Sequence, residues 1–158
     1  MFSYMRNMDQ SDLEPVLAIE QRCYDFPWSV RGFENSLDRG LNYVFCRDND
    51  EIIGYACCLT VLDEVELLNF CIAPAFQGKG VGKKALEVLL ERLSEGEFRI
   101  VFLEVRDSNS AGRRLYLGSD FNEDGVRKDY YRCRQWDEET QSLVEGKEDA
   151  ILMSRPLS

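Results

Sequence analysis

The sequence contains no histidine. That removes the side chain that most often moves protons near neutrality, and with it the histidine-based triads and most zinc sites. Proton transfer falls to carboxylates, tyrosine, lysine, cysteine or water. No C-x-x-C pair occurs among the six cysteines, so the spacing of zinc and redox motifs is missing. Cys57 and Cys58 are adjacent in one apolar run and Cys71 sits in another; the cysteines are expected as small buried thiols. No apolar run approaches the ~20 residues that cross a bilayer. Met1 to Arg6 lacks the apolar core of a signal peptide. No membrane association and a cytoplasmic location are therefore expected. Positive charge is scarce as well: 19 Lys and Arg stand against 29 Asp and Glu, a net charge of −10. Direct nucleic-acid binding asks for a basic surface and is not expected. An acidic surface suits a basic partner, although it also serves solubility.

What is present suffices for one domain over residues 1–158, with 44% apolar residues to build a core. A first strand begins near Met5–Arg6, and Asp9 to Asp12 forms a polar turn. Ser11 or Asp12 then caps a helix to about Gln21, with Glu14 in capping-box spacing and Leu13, Val16, Leu17 and Ile19 on its apolar face. Ser29 caps a short helix carrying Val30, Phe33 and Leu37. Strands follow at Leu41–Arg47, Glu51–Val61 and Val65–Ile72. Helix Val81–Leu93 presents Ala85, Leu86, Leu89, Leu90 and Leu93 as one stripe, and Ile100–Val105 is a buried strand. Asp107 or Ser108 caps another helix bearing Ala111, Leu115 and Tyr116. Val126–Tyr131 is extended, Trp136–Asp149 reads as an exposed hairpin connection, and Ala150–Met153 is the last strand. This order predicts an α+β fold in three α/β/α layers, with a mixed, mostly antiparallel sheet and helices on both faces.

Between Ile72 and the helix at Val81 runs Gln77-Gly78-Lys79-Gly80-Val81-Gly82-Lys83. A strand that enters a glycine-rich turn and then a helix gathers unpaired N–H groups at the positive end of a helix dipole, a seat for phosphates. It is not a P-loop: Gln77 stands at the first glycine position and Lys84 at the hydroxyl position. It is not the dinucleotide fingerprint either, because Gly78, Gly80 and Gly82 are spaced one residue short. What remains is Q-x-x-G-x-G, which resembles the pyrophosphate loop of the GNAT family of N-acetyltransferases.

Two further residues could do chemistry. Strand alternation puts Val101, Leu103 and Val105 on one face and Phe102, Glu104 and Arg106 on the other. Burial would make Glu104 a better base; solvation or pairing with Arg106 would leave it structural. Asn109 lies near a helix start, and Tyr116 lies two turns on along the same face, as a proton donor or as core.

The resemblance extends over most of the chain. Phe26-Pro27-Trp28-Ser29, Leu67 to Pro74 (L-L-N-F-C-I-A-P), Leu103-Glu104-Val105-Arg106, Ser108-Asn109, Leu115-Tyr116, Tyr130-Tyr131 and Glu148-Asp149-Ala150 are similar to motifs of the RimI-type branch, the bacterial ribosomal-protein alanine N-acetyltransferases. The resemblance implies acetyl-CoA as co-substrate and no metal. Gln77, Gly78, Lys79, Gly80, Val81, Gly82 and Lys83 would form the pyrophosphate loop. The backbone of Phe70, Cys71 and Ile72 would pair with the pantetheine arm and the acetyl group. Asn109 and Tyr116 would meet the CoA, Glu104 would be the general base and Tyr116 the acid. A strand N–H near Cys71 or Ile72 would steady the thioester oxygen. The implied acceptor is the N-terminal α-amine of a basic ribosomal protein, above all the alanine of small-subunit ribosomal protein eighteen. A lysine side chain, a small amine, several protein N-termini, or CoA binding without turnover remain alternatives. Two departures stand out. Asp120-Phe121 replaces the family's Gly-Phe, with Gly118 two residues earlier, which predicts a shifted turn after Tyr116. Cys133–Gly146 is longer than the branch norm, as a lengthened hairpin beside the cleft or as an inert loop.

Overall fold

A computed structural model describes residues 1–157. Seven strands form one sheet: β1 (Tyr4–Asn7), β2 (Leu41–Cys46), β3 (Ile52–Val61), β4 (Glu64–Ile72), β5 (Ile100–Arg106), β6 (Asn122–Asp137) and β7 (Ser142–Pro156). Their spatial order is β1-β2-β3-β4-β5-β7-β6, and only the β4–β5 pair is parallel. Helices α1 (Leu13–Cys23) and α2 (Val30–Arg39) cover one face, and α3 (Val81–Glu95) and α4 (Ser110–Leu117) belong to the other. The expected three layers and mixed sheet are thus present.

Alternation along the strands divides the core in two. Phe45, Ala56, Cys58, Val65 and Leu67 meet Val81, Ala85, Leu86, Leu89, Leu90 and Leu93 of α3. Val44, Cys46, Tyr55, Cys57 and Cys71 meet Val16 and Ile19 of α1 and Phe33 of α2. Each large aliphatic side chain of the α3 stripe contributes roughly 1.5–3 kcal/mol by leaving water.

Several local expectations are corrected. The first capping box is Asp9 with Asp12, which closes a 3-10 turn over Gln10–Asp12 ahead of α1, rather than Ser11 with Glu14. Asp12 is also gripped by Arg6 at 2.8 and 2.9 Å. Helix α4 is capped by Asn109, whose Oδ1 accepts from Gly112 N–H at 2.9 Å, not by Asp107 or Ser108. The stretch from Trp136 to Asp149 is not a connection. β6 and β7 pair as far as Asp137 and Ser142, so most of it is strand in a long arm that turns over Glu138–Gln141. The arm packs on little, so its sequence carries no apolar alternation to betray it.

The turn after Tyr116 has not shifted. Phe121 N–H donates to Tyr116 O at 3.0 Å and Asp120 N–H to Leu117 O at 3.3 Å, the paired bonds of a Schellman helix ending. Asp120 takes the left-handed conformation usually left to glycine, with φ +69°.

β4 and β5 pair only from Glu64 with Ile100 to Leu67 with Leu103. Opposite β3, the register slips between Cys58–Leu67 and Cys57–Asn69, which makes Leu68 an extra residue in β4. Beyond that bulge the two strands part.

Candidate active site

The parting of β4 and β5 opens a cavity of about 240 Å³ lined by Leu67 to Phe70 on one side and Leu103 to Arg106 on the other. The loop after α1 closes it with Tyr24, Phe26 and Trp28, and Asn109, Tyr116 and Tyr131 complete the wall. Glu104 and Tyr116, from two separate elements, therefore face one space.

Glu104 is largely buried, its side chain 20% exposed, and pairs with Arg127 of β6 at 3.0 Å. The sequence pointed to Arg106, the neighbour two residues on. Arg106 instead donates to Arg132 O at 2.7 Å and meets Glu148 at 3.3 Å. Burial opposes the charge on Glu148, but hydrogen bonds from Ser108 and the Arg106 cation outweigh it and hold that carboxyl below its ordinary range. Tyr116 is buried, and its hydroxyl has no hydrogen-bond partner among the described residues. Burial, with the Cys71 and Tyr131 groups adding to it, keeps the phenol protonated well above the usual tyrosine range. Burial and then Glu104 push Tyr131 up to about 12. Proton donors are thus kept loaded beside one carboxylate.

The β4 edge settles which backbone groups face the gap. Ala73 N–H donates to Ile53 O of β3 at 2.8 Å. Alternation then turns Cys71 and Asn69 toward β3, and Phe70 and Ile72 toward the gap. Side chains confirm the sense: the Tyr24 hydroxyl lies 3.5 Å from Phe70 O, and Gln77 Nε2 donates to Ile72 O at 2.8 Å. Of the two N–H groups considered for the thioester oxygen, Ile72's faces the gap and Cys71's is spent on the sheet.

Gln77 fastens the loop to β4 through that bond, so its side chain is turned away from the helix start. Gly78 and Gly80 have φ +73° and +80°, and an added Cβ at either would meet nothing within 4 Å. The glycines are there for backbone conformation and leave open space above the turn. Gly80 is the N-cap of α3; the first turn holds no acidic residue and carries Lys83 and Lys84. Lys84 N–H reaches Gly80 O at 3.3 Å, while the earlier N–H groups of the turn precede any helical acceptor. Lys79 and Lys83 are exposed on either side of Val81 in sequence, and the Val81 side chain is buried. Asn109 lines the cavity, but its Oδ1 is committed to the α4 cap.

Sequence reasoning missed Glu20 and Asn69; of its two readings of Cys133–Gly146, the lengthened hairpin is the one present, as part of the β6–β7 arm. Glu20 is 2% exposed on α1. Its signal was a carboxylate four residues after Val16, inside the apolar stripe. The near half of the arm is drawn over the Phe26 loop by Arg132 and Arg134, whose guanidinium carbons lie 4.4 and 5.7 Å from the Phe26 ring centre. Nothing in the local sequence signals a contact so distant. Cys46, Cys57, Cys58 and Cys71 are buried as expected, but Cys23 and Cys133 are only partly so. Burial pushes the Cys57 and Cys58 thiols up to about 12, which suits packing rather than nucleophilic attack. Among the described residues no cluster of three or more His, Cys, Asp or Glu could hold a metal. No described helix is long and apolar enough to cross a membrane.

Comparison with known proteins places this geometry. The model of the acetyltransferase (GNAT) family matches residues 13–121. A [ribosomal protein bS18]-alanine N-acetyltransferase of Haemophilus influenzae is 42% identical over 153 residues, 96% of this chain and 97% of that one. The protein of that name from Escherichia coli K12 is 35% identical over 153 residues, 96% of each chain. The crystal structure of the ribosomal-protein-S18-alanine N-acetyltransferase from Escherichia coli superposes with a TM-score of 0.84 at 33% identity, over 98% of this chain and 94% of that one. The chain belongs to the GNAT acetyltransferase family and is an acyltransferase.

Proposed function

We propose that this enzyme, one N-acetyltransferase domain over residues 1–158, transfers an acetyl group from acetyl-CoA to the N-terminal α-amine of a protein. The acceptor is the N-terminal alanine of small-subunit ribosomal protein eighteen, met in the cytoplasm. The observation that carries this reading is the meeting of Glu104 and Tyr116 in one cavity beside an unpaired strand edge. Relatives at 35–42% identity that bear this activity in their names support the choice of acceptor. The net charge of −10 suits a basic protein and gives nucleic acid little to hold.

The residues fit acetyl-CoA. The α3 N-terminus, with its free N–H groups, its lysines and the open space over Gly78 and Gly80, suits a pyrophosphate. The gap-facing backbone of Phe70 and Ile72 suits the amides of a pantetheine arm, with Cys71 as the spacer between them. When bound, the co-substrate supplies an acyl carbon activated by a thiolate leaving group. Glu104, directly or through water, takes a proton from the acceptor's ammonium, and the neutral amine so formed attacks with its lone pair. The Ile72 N–H faces the thioester oxygen as negative charge grows there. The nitrogen–carbon bond forms as the carbon–sulfur bond breaks, the Tyr116 hydroxyl delivers its proton to the departing sulfur, and the second proton that the nitrogen sheds on becoming an amide passes through water to the phenolate left on Tyr116. No covalent enzyme intermediate is needed.

The acceptor class follows from amine acidity. At pH ~7.5 neutralising a lysine with pKa ≈ 10.4 costs about 4 kcal/mol, whereas an α-amine at ≈ 7.7–8.0 costs less than about 1. A lone carboxylate base is adequate for the second and poorly matched to the first. The test is a pair of peptides given with acetyl-CoA and followed by mass spectrometry and thiol release. One begins with a free alanine and lacks lysine; the other is blocked at its N-terminus and carries lysine. Acetylation of the first with equimolar release of CoA is expected. Acetylation of the second alone overturns the acceptor assignment. Mass spectrometry of ribosomal proteins from cells with and without the enzyme then identifies the natural acceptor.

A further inference from the structure

β4 changes face at Leu68. Val65 and Leu67 belong to the core beneath α3, yet Asn69 is paired beside Cys57 and turned with Cys71 toward α1. Two steps along a regular strand keep a side chain on one face, so the extra residue is what turns Asn69 over. There it meets Glu20. Glu20 Oε1 accepts from Asn69 Nδ2 at 2.9 Å and from the Tyr55 hydroxyl at 2.5 Å, while Oε2 accepts from Trp28 N–H at 2.9 Å. No lysine or arginine among the described residues pairs with it. Packing gives no reason for a carboxylate here, since the surrounding cluster is apolar and a buried charge is costly without its donors.

The consequence falls on Asn69. A carboxylate only accepts hydrogen bonds, so Asn69 must turn Nδ2 to Glu20 and Oδ1 away from it. No donor among the described residues meets that oxygen, and Asn69 lines the cavity shared by Glu104 and Tyr116. We propose that Asn69 Oδ1 accepts a hydrogen bond from the α-amine of the acceptor, and that Glu20 is a positioning residue that fixes the amide for this purpose. The inference rests on the function proposed above and specifies how that site chooses a primary amine. The attacking nitrogen must aim its lone pair at the acyl carbon. Once Glu104 has taken a proton from the ammonium, the neutral primary amine keeps two N–H groups: one is shed as the amide forms, and the other, held by Asn69, sets the remaining direction. A secondary amine such as N-methylalanine keeps one N–H, which must be shed as the amide forms, and has none left for Asn69 to hold.

The experiment compares wild type, Asn69→Leu and Glu20→Gln in steady-state kinetics. The acceptors are an alanine-initiated peptide and its N-methylalanine counterpart, and calorimetry measures CoA binding to each protein. Asn69→Leu is expected to raise the peptide KM about tenfold, the worth of one hydrogen bond in a dry site. It should leave CoA affinity unchanged and shrink the preference for alanine over N-methylalanine. Glu20→Gln should shift both readings the same way by less, because it loosens the amide without removing it. An unchanged peptide KM and an unchanged preference in Asn69→Leu overturn the inference. So does a joint loss of CoA binding, kcat and melting temperature, which marks the network as purely structural. A wild-type protein that binds CoA yet acetylates no peptide α-amine overturns the proposed function, and this inference with it.

Discussion

Along the seam between β4 and β5 the first four residue pairs are joined and the rest are not. In the joined half, Val65, Leu67, Val101 and Leu103 are at most 5% exposed and bring no polar side-chain atom. In the parted half, the same strands offer Asn69, Phe70 and Glu104 to a cavity, and the Ile72 backbone faces the gap beside it. One pair of neighbours thus holds the sheet together at one end and leaves the Phe70 and Ile72 N–H groups without a strand partner at the other. Stability and chemistry are separated within about four residues of strand, roughly 13 Å. Substitutions in the two halves should therefore fail in different assays.

The largest effect is expected in the parted half. Glu104→Gln should lower kcat about 10²–10³-fold while CoA binding and melting temperature hold; full activity would remove Glu104 as the base. In the joined half, Val101→Ala should cost about 1–3 kcal/mol in urea unfolding, with the turnover of the folded fraction largely kept. Loss of turnover without loss of stability would show that the halves are not separable. At the loop, Gly80→Ala must adopt φ +80° with no steric neighbour. The strain of about 1–2 kcal/mol should appear as roughly tenfold weaker CoA binding by calorimetry.

Away from the seam, hydrogen bonds from Arg6 outweigh burial and hold Asp12 below the ordinary carboxylate range. A depressed carboxyl contributes its stability above the unfolded pKa and loses it as pH falls through the folded one. Asp12→Asn should accordingly cost about 1–2 kcal/mol at pH 7, a gap to wild type that closes on acidification in parallel denaturation curves. The smallest effect is a gain. Asp120→Gly relieves a left-handed aspartate and should raise the melting temperature by roughly 2–4 °C. A lower melting temperature would mean that the Asp120 side chain contributes more than its backbone costs.

The sequence made much of this legible, for reasons that differ by residue. The helix stripe from Val81 to Leu93 and the strand from Ile100 carry strong periodicity, so the layers could be read directly. Glu104 and Tyr116 could be singled out because a carboxylate in an apolar strand and a phenol two turns from a cap are local anomalies. Asn69 could not. Counted by alternation from Leu67 it points into the α3 core, and only the bulge at Leu68, which has no sequence mark, reverses it. Arg127 was missed as the partner of Glu104 because the contact crosses from β5 to β6 past the intervening β7. Trp136–Asp149 was read as a connection because strands that are mostly exposed need no apolar alternation. The turn at Asp120 was expected to move because glycine is the usual occupant of its conformation, but aspartate tolerates it.

A sheet of this kind has two open borders, and both meet water. One is β1, only four residues long, which offers little to pair with. The other is β6, 16 residues long. Glu123, Asp124, Arg127, Lys128, Asp129, Arg132, Arg134 and Asp137 lie along it, so an incoming foreign strand would have to lie alongside four acidic and four basic residues. Charge along that border, from beside the cavity to the tip of the arm, thereby works against one copy of the enzyme pairing edge to edge with another.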